Sequence, residues 1–444
     1  MKLDLTPKLF LFLILALGLL VYWPGLAGGY VFDDFGNLVD NTAFAQSALQ
    51  AHFWHAIWSA NAGPLDRPLS MLSFAAQMVF TGMNPWPLKL ANVLLHLFNG
   101  WLVWLLSSRV LVWLEQRAQQ PWLVGGQTLA LLATAAWVLA PIQLTAVLYV
   151  IQREEALAST FVLLGLLGYW HGRMRLIDGR RGALIWIWLS LALGTAVAAL
   201  AKETGVMLPA YAFVLEWVVL RGALSPDSAG GGRGLLGHPL IPVFLALLLI
   251  PGVLGLAWLL PGALNGSAYA ARPFTLSERL LTEGRVLVDY LRWIVLPTPD
   301  ALSLYHDDIA LSTGWLSPWT TAASWAFLAA LLAAALWLRK RLPLFTFGVL
   351  WWFVGQSLLS TFVPLELVYE HRNYLPDWGI FLALFALLFS WSPPDAERRG
   401  TLRLLTVGAV SALIALYGVF TAIRAQIWGN PYRLAYFEAT THPQ

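Results

Sequence analysis

Two adjacent carboxylates, Asp33 and Asp34 in the run Gly28-Gly-Tyr-Val-Phe-Asp33-Asp34-Phe-Gly-Asn37, stand a few residues past the first long apolar stretch, Leu9 to Leu26. Solvation is poor at a membrane boundary and each charge opposes ionisation of its neighbour, so such a pair is costly to keep as scaffolding. A carboxylate in that place suits deprotonation of an acceptor hydroxyl or amide during glycosyl or phosphoryl transfer. Three more polar elements interrupt the apolar sequence: Arg153-Glu154-Glu155, Lys202-Glu203, and the segment Glu366 to Arg372 with its Glu370-His371-Arg372. Lys and Arg suit a phosphate leaving group, neutralising the charge that develops on it. Each element also has a structural reading. Asp favours turns; Arg153 can pair with Glu154 or Glu155 at a helix cap; Lys202-Glu203 can mark a helix turn; Glu370-His371-Arg372 can flank a helix.

What must position these groups is a membrane bundle. Hydrophobic residues make up 59% of the 444 and charged residues 11%, with a mean hydropathy of +0.66, against roughly 25% charged residues in soluble domains. Many of the 24 Trp lie near the ends of apolar runs, as in an interfacial aromatic belt. A net charge of +3 with no long basic run excludes nucleic acid as a partner, and the absence of Cys excludes disulfides and thiolate metal sites. Lys2 and Lys8 before an apolar run resemble a signal peptide, but cleavage near Leu26-Ala27-Gly28 would sever the span from the Asp pair; an uncleaved first helix is expected.

Apolar stretches near spanning length fall at 9–27, 88–113, 126–148, 156–171, 183–201, 204–220, 239–262, 318–338, 343–363, 374–391 and 404–421, which predicts an all-α polytopic protein of about eleven transmembrane helices. Segment 66–86 is apolar but short and reads as a helix lying in the interface. Arg173, Arg175, Arg180 and Arg181, then Arg339, Lys340 and Arg341, then Arg398, Arg399 and Arg403, form three basic loops. With the N-terminus inside, all three are cytoplasmic. The opposite face then carries a first large loop, 28–87, a second, 263–317, all four polar elements and the C-terminus. That these elements share one face is what favours a site over four separate structural roles.

Asn92, His96 and Asn99 share a helix face at i, i+4, i+7, which predicts interhelical hydrogen bonding rather than catalysis. No His-x3-His pattern or carboxylate-rich metal motif is present, and no G-x-x-x-x-G-K-[ST] loop, so ATP-driven transport is not indicated. Asp307 and Asp308 after His306 could hold a divalent ion but read better as a plain loop.

At these residues the chain resembles the GT-C glycosyltransferases, polytopic enzymes that use polyprenyl-phosphate sugars. Within them it is most similar to the transmembrane part of the O-mannosyltransferases that carry TPR repeats, and to their bacterial relatives. The resemblance rests on Tyr30-Val-Phe-Asp33-Asp34, on Arg67-Pro68-Leu69-Ser70 with Asn84-Pro85 and Asn92-Val-Leu-Leu-His96, on Tyr149-Val-Ile-Gln-Arg153, and on Ala201-Lys202-Glu203. It continues through Arg279-Leu-Leu-Thr282, Tyr290-Leu-Arg292 and Leu296-Pro297 to Arg372-Asn-Tyr374-Leu-Pro376. Where that group usually reads H-P-I-H-T-E-A-V, this chain has Ala140-Pro-Ile-Gln143-Leu-Thr145-Ala-Val147, which leaves donor and acceptor preference open.

The resemblance implies a single GT-C-like domain over 1–444 with loop helices outside the membrane, Asp33 and Asp34 as catalytic carboxylates, and Lys202, Arg153 and Arg372 around the donor phosphate. Glu203, Glu154, His371 and Tyr374 would support them. The expected setting is the inner membrane of a Gram-negative bacterium with the site facing the periplasm. The acceptor would be a Ser/Thr of a periplasmic protein such as a pilin, or a glycan or glycolipid, and the sugar mannose, arabinose or another. No cofactor is expected, and a divalent metal only if the donor were a pyrophosphate. A lipid-linked-sugar flippase and a non-catalytic envelope scaffold are the rival readings. The first would need polar groups deep in several spans; the second would have no use for paired Asp.

Overall fold

The computed structural model describes residues 5–441 apart from 61, 64, 119–121, 225–237 and 307, so the Asp307/Asp308 reading falls partly outside the described residues. The first apolar stretch forms α1 (Leu5–Tyr22), followed in the first large loop by α2 (Thr42–Leu49), α3 (Phe53–Trp58) and α4 (Pro68–Thr81). Then come α5 (Pro85–Glu115), α6 (Gly126–Leu139), α7 (Leu144–Leu148), α8 (Arg153–Ile177), α9 (Ala183–Ala201), α10 (Leu208–Val214), α11 (Ile241–Phe244) and α12 (Ile250–Leu264). The chain continues with α13 (Leu276–Val295), α14 (Thr320–Leu338), α15 (Pro343–Leu359), α16 (Asp377–Phe389), α17 (Ala396–Trp428) and α18 (Pro431–Thr441). No strand occurs among the described residues, in agreement with the all-α expectation.

Each of the eleven apolar stretches is helical, yet the number that can span is smaller. Among the described residues seven helices are long and apolar enough to cross a bilayer, or eight if α6 and the segment Pro141–Leu148, inclined at 50°, count as one broken span. Pro141 causes that break. It lacks an N–H and holds Ala140 in extended geometry (φ −62°, ψ 128°). With 17 and 13 residues, α15 and α16 reach only about 26 and 20 Å. Helix α8 begins on Arg153-Glu154-Glu155 and carries Arg173 and Arg175 near its end.

Helices α5, α6, α8, α15 and α16 form the interior around Trp137, Trp351, Trp352 and Trp378, all fully buried. Gly348 and Gly379 bring α15 and α16 into backbone contact. A Cβ on Gly348 would lie 2.1 Å from the Gly379 carbonyl, and small residues at such a crossing are how membrane helices pack closely. By contrast α1, α9, α12 and α14 leave most of their residues unburied, as suits lipid rather than water. Helix α4, the segment read as interfacial, buries Met71, Phe74, Ala75 and Met78 and leaves Val79 and Phe80 exposed.

Two contacts fix which ends face the same way. The Trp428 carbonyl, at the end of α17, packs so closely on Gly28 that a Cβ there would lie 1.9 Å away, so α17 ends beside the start of the first loop. In α18, Glu438 accepts N–H bonds from Leu304 (3.1 Å) and from Tyr305 and also bonds the Ser303 hydroxyl, which places α18 at the same end. At the opposite end Arg221 donates to the Arg339 carbonyl (3.1 Å), near the buried Arg173–Glu216 pair.

Candidate active site

The two Asp of the first loop have different surroundings. Asp34 is fully buried; its Oδ1 accepts the Ile151 N–H at 2.7 Å and its Oδ2 the Val31 N–H at 2.9 Å. Burial pushes its carboxyl up to about 7, against the pull of those two N–H donors. Asp33 is partly exposed. Its backbone N–H donates to the Tyr149 hydroxyl at 2.6 Å, and that hydroxyl also bonds its carboxylate. Burial raises the Asp33 carboxyl above the ordinary aspartate range; the Tyr149 bond lowers it, Glu154 raises it, and Lys202 and Arg67 lower it. Between the glycine turn and Asp33, Phe32 takes a left-handed backbone (φ 40°), strained for an aromatic residue, with its ring against Tyr305.

A cluster of opposed charges faces Asp33. Arg67 donates to Glu154 at 2.5 Å and lies 2.9 Å from Glu203. Lys202 stands 3.2 Å from Glu154 and 3.2 Å from Glu155, and donates to Gln152 at 2.8 Å. Thr204 bonds the Glu155 carboxylate. Burial works against the Arg67 charge, yet Glu154 and Glu203 raise its pKa beyond the usual arginine value. Asp66 and Arg67 are both left-handed (φ 54° and 44°), an arrangement that turns Arg67 back from the start of α4. Glu154, Glu155 and Lys202 are buried; Arg67 and Glu203 keep 19% and 24% of their side chains exposed. The accessible side of the cluster is therefore the Arg67–Glu203 edge.

Of the remaining expected residues, Arg372 joins the cluster from the α15–α16 connection. It lines a small pocket with Glu155, Thr204 and Tyr211, and holds the Glu366 and Leu367 carbonyls at 2.5 and 2.9 Å. His371 is buried beside it and stacks on Tyr369 at 4.9 Å. Burial, then the nearby charges of Lys202, Arg372 and Arg67, hold its pKa well below the ordinary value, so the ring is neutral.

Arg153 and Tyr374 lie elsewhere. Arg153 turns inward, donating to Asn92 (2.8 Å), Gln77 (2.7 Å) and the Leu88 and Ser73 carbonyls (2.9 and 3.3 Å), with Phe74 against its guanidinium. Those bonds join α8 to α4 and α5, and leave the guanidinium turned away from Asp33. Tyr374 sits in the core. His96 Nε2 donates to the Val138 carbonyl (3.1 Å), which leaves Nδ1 to accept from the Tyr374 hydroxyl (3.0 Å), and Asn99 donates to that same hydroxyl (3.1 Å). The predicted Asn92/His96/Asn99 face is thus an interhelical hydrogen-bonding face. Gln143, one of the departures from the family pattern, donates to the Tyr374 carbonyl and to Asp377 (2.9 and 2.8 Å).

Arg67 and Tyr149 stand in the motifs that carry the resemblance without marking themselves as site residues, and nothing in the sequence singles out Lys89. Lys89 is fully buried at the start of α5, its charge acts on Asp34, and its Nζ has no hydrogen-bond partner among the described residues.

Comparison with known proteins finds partial sequence similarity to protein O-mannosyl-transferases. Mouse (Mus musculus) protein O-mannosyl-transferase TMTC3 is 27% identical over 237 residues, covering 52% of this chain and 24% of its own length. Mouse TMTC4 is 26% identical over 264 residues, 55% of this chain and 36% of its own length. Drosophila melanogaster Tmtc1 is 29% identical over 205 residues, 43% and 21% of the two. No family model and no solved structure matches the chain. The chain covers about a quarter of the length of TMTC3. Over about half of its own length, this all-α membrane protein is similar to the protein O-mannosyl-transferases.

Proposed function

We propose that this chain is a membrane glycosyltransferase of GT-C build that moves a monosaccharide from a polyprenyl-phosphate donor to an acceptor hydroxyl, inverting the anomeric carbon. The observation that carries it is the division of labour in the Asp pair: Asp34 is locked into the fold, while Asp33 stays partly open beside Arg67, Lys202 and Glu154. In the reaction the acceptor oxygen bonds to the anomeric carbon as the bond from that carbon to the phosphate oxygen breaks. The bonding pair leaves with the phosphate, and the acceptor proton passes to the Asp33 carboxylate. Polyprenyl phosphate is the second product.

Charge decides how the phosphate is received. Around it stand Arg67, Lys202 and Arg372 against Asp33, Glu154, Glu155 and Glu203, three cations to four carboxylates. An anion enters such a set only by displacing a carboxylate. Glu203 is the most exposed of the cluster's three glutamates, so the phosphate takes its place on Arg67, with Lys202 and Arg372 beside it. Polar groups concentrated at one end of the bundle favour transfer at an interface over passage across it. The relatives are named for mannosyl transfer to protein; for this chain we take a protein Ser/Thr or a glycan as acceptor and leave mannose and arabinose equal. We take the site end to face the periplasm of a bacterial inner membrane, a reading the basic loops at the other end support.

The test is transfer of radiolabelled sugar from polyprenyl phosphate to a protein or glycan acceptor by the purified chain in liposomes. Labelled acceptor supports the reading. Lipid-linked sugar that crosses the bilayer without acceptor labelling would make the protein a flippase, and neither outcome would leave a scaffold.

A further inference from the structure

A second site lies at the end of the bundle away from Asp33. Leu105, Ser108, Arg109, Gln116, Gln127 and Trp170 line an open groove of about 390 Å³ between α5, α6 and α8. Its depth follows from helix geometry. Lys89, beside Asp34, and Arg109 belong to the same unbroken helix, and the rise between them is about 30 Å, one hydrocarbon thickness. If Lys89 lies at one headgroup level, Arg109 lies at the other.

Arg109 is exposed on that helix and lacks the carboxylate partner that Arg173 and Arg424 have within theirs. Arg173 is paired with Glu216 at 2.6 Å and Arg424 with Glu370 at 3.0 Å. Among the described residues Arg109 reaches no carboxylate; it donates to its own helix, at the Leu105 carbonyl (2.9 Å). At a headgroup level, a cation with no protein carboxylate beside it attracts an anionic headgroup. Beside it the Ser108 hydroxyl is buried with no hydrogen-bond partner among the described residues. The Gln116 and Gln127 amides complete a set of donors, and Trp113 and Trp170, edge to face at 5.9 Å, form an aromatic wall. Arg117 lies over the Trp113 ring at 3.3 Å, which adds positive charge just beyond the groove.

We propose that this groove binds the phosphodiester headgroup of one anionic glycerophospholipid, with Arg109 on the phosphate and Ser108, Gln116 and Gln127 donating to its oxygens. One cation among neutral donors matches a singly charged phosphodiester. The polyprenyl phosphate product, a more highly charged monoester, calls for more than one cation in contact with it, whereas the groove's lining offers Arg109, and Arg117 stands beyond it.

Native mass spectrometry of the full chain, exchanged into phosphatidylglycerol, phosphatidylcholine or an equal mixture, tests this. One phosphatidylglycerol should be retained per chain in preference to phosphatidylcholine. R109Q should weaken that retention roughly 10- to 100-fold, the usual worth of a charge-assisted hydrogen bond, while R109K keeps part of it. The double variant S108A/Q127L, which keeps the charge, covers the case in which R109Q does not fold, and should weaken retention to a lesser degree. Equal retention of the two lipids, no retained lipid, or an R109Q protein that binds as the parent does would overturn the proposal. So would undecaprenyl phosphate displacing phosphatidylglycerol at equal concentration.

Discussion

Asp34 accepts the Ile151 N–H at 2.7 Å, and this bond joins the first large loop to the break in the chain just before α8. The residues on either side of that break carry the site: Tyr149 bonds Asp33, and Gln152, Glu154 and Glu155 hold Lys202. Asp34 therefore sets the distance between the base and the charged cluster. Gly28, with no Cβ to strike the Trp428 carbonyl, lets the loop lie low enough for that bond to form.

Replacing Asp33 by Asn should leave the fold intact and lower sugar transfer by roughly 10²–10⁴, the usual contribution of a general base. The pH profile offers a second readout. Burial raises the Asp33 carboxyl above its ordinary value of 3.8, and only the ionised form accepts a proton. Activity in the wild type should therefore rise with pH through a titration above 3.8 and then level off. A D33N protein with parental turnover would remove Asp33 from the mechanism.

For Asp34 the expected effect is on stability. Its carboxyl titrates near 7 when folded and near 3.8 when not, so in that interval the folded chain holds a proton that the unfolded chain releases. The contribution of Asp34 to stability should then fall as pH rises from about 4 to about 7 and stay level above. Thermal unfolding of wild type and D34N side by side isolates it: the difference in melting temperature should shift against the wild type across that window. A difference independent of pH would contradict the buried, raised carboxyl.

Charged residues set in apolar sequence were legible because water-seeking groups in lipid-seeking surroundings need a reason. Asp33, Lys202, Glu154 and Arg372 were found that way. The partnerships were not legible. Arg67 meets Glu154 across 87 positions and Glu203 across 136, and no periodicity relates such distances. In the sequence Arg153 reads as a phosphate ligand from the resemblance and as a basic residue at a helix end. Successive residues at a helix start point in different directions, and Arg153 points into the core. Apolar runs gave helices reliably, but crossing length depended on where Pro141 bends the chain and where α15 and α16 stop.

Arg153 should prove structural. R153K keeps the charge but cannot reproduce four bonds fanned over Asn92, Gln77, Ser73 and Leu88, so the protein should lose stability by about 1–3 kcal/mol, the cost of leaving a buried hydrogen-bonding group unmet. Donor affinity of the folded remainder should match the wild type in a lipid-phosphate binding assay. A stable R153K with weakened donor binding would return Arg153 to the phosphate.

Lys202 gives the sharpest test, because its ammonium lies against two buried glutamates and is also proposed to meet the phosphate. K202M alone confounds the two roles, since it leaves Glu154 and Glu155 facing each other with less compensation. The double variant K202M/E155Q removes one charge of each sign and should recover most of the lost stability. If Lys202 serves the phosphate, the double variant should still transfer sugar roughly 10- to 100-fold more slowly, with the loss divided between a higher KM for donor and a lower kcat. The kcat part measures how far the contact tightens as the leaving group gains charge. Transfer restored together with stability would show that Lys202 only holds the two glutamates in place, and would leave Arg67 and Arg372 to receive the donor.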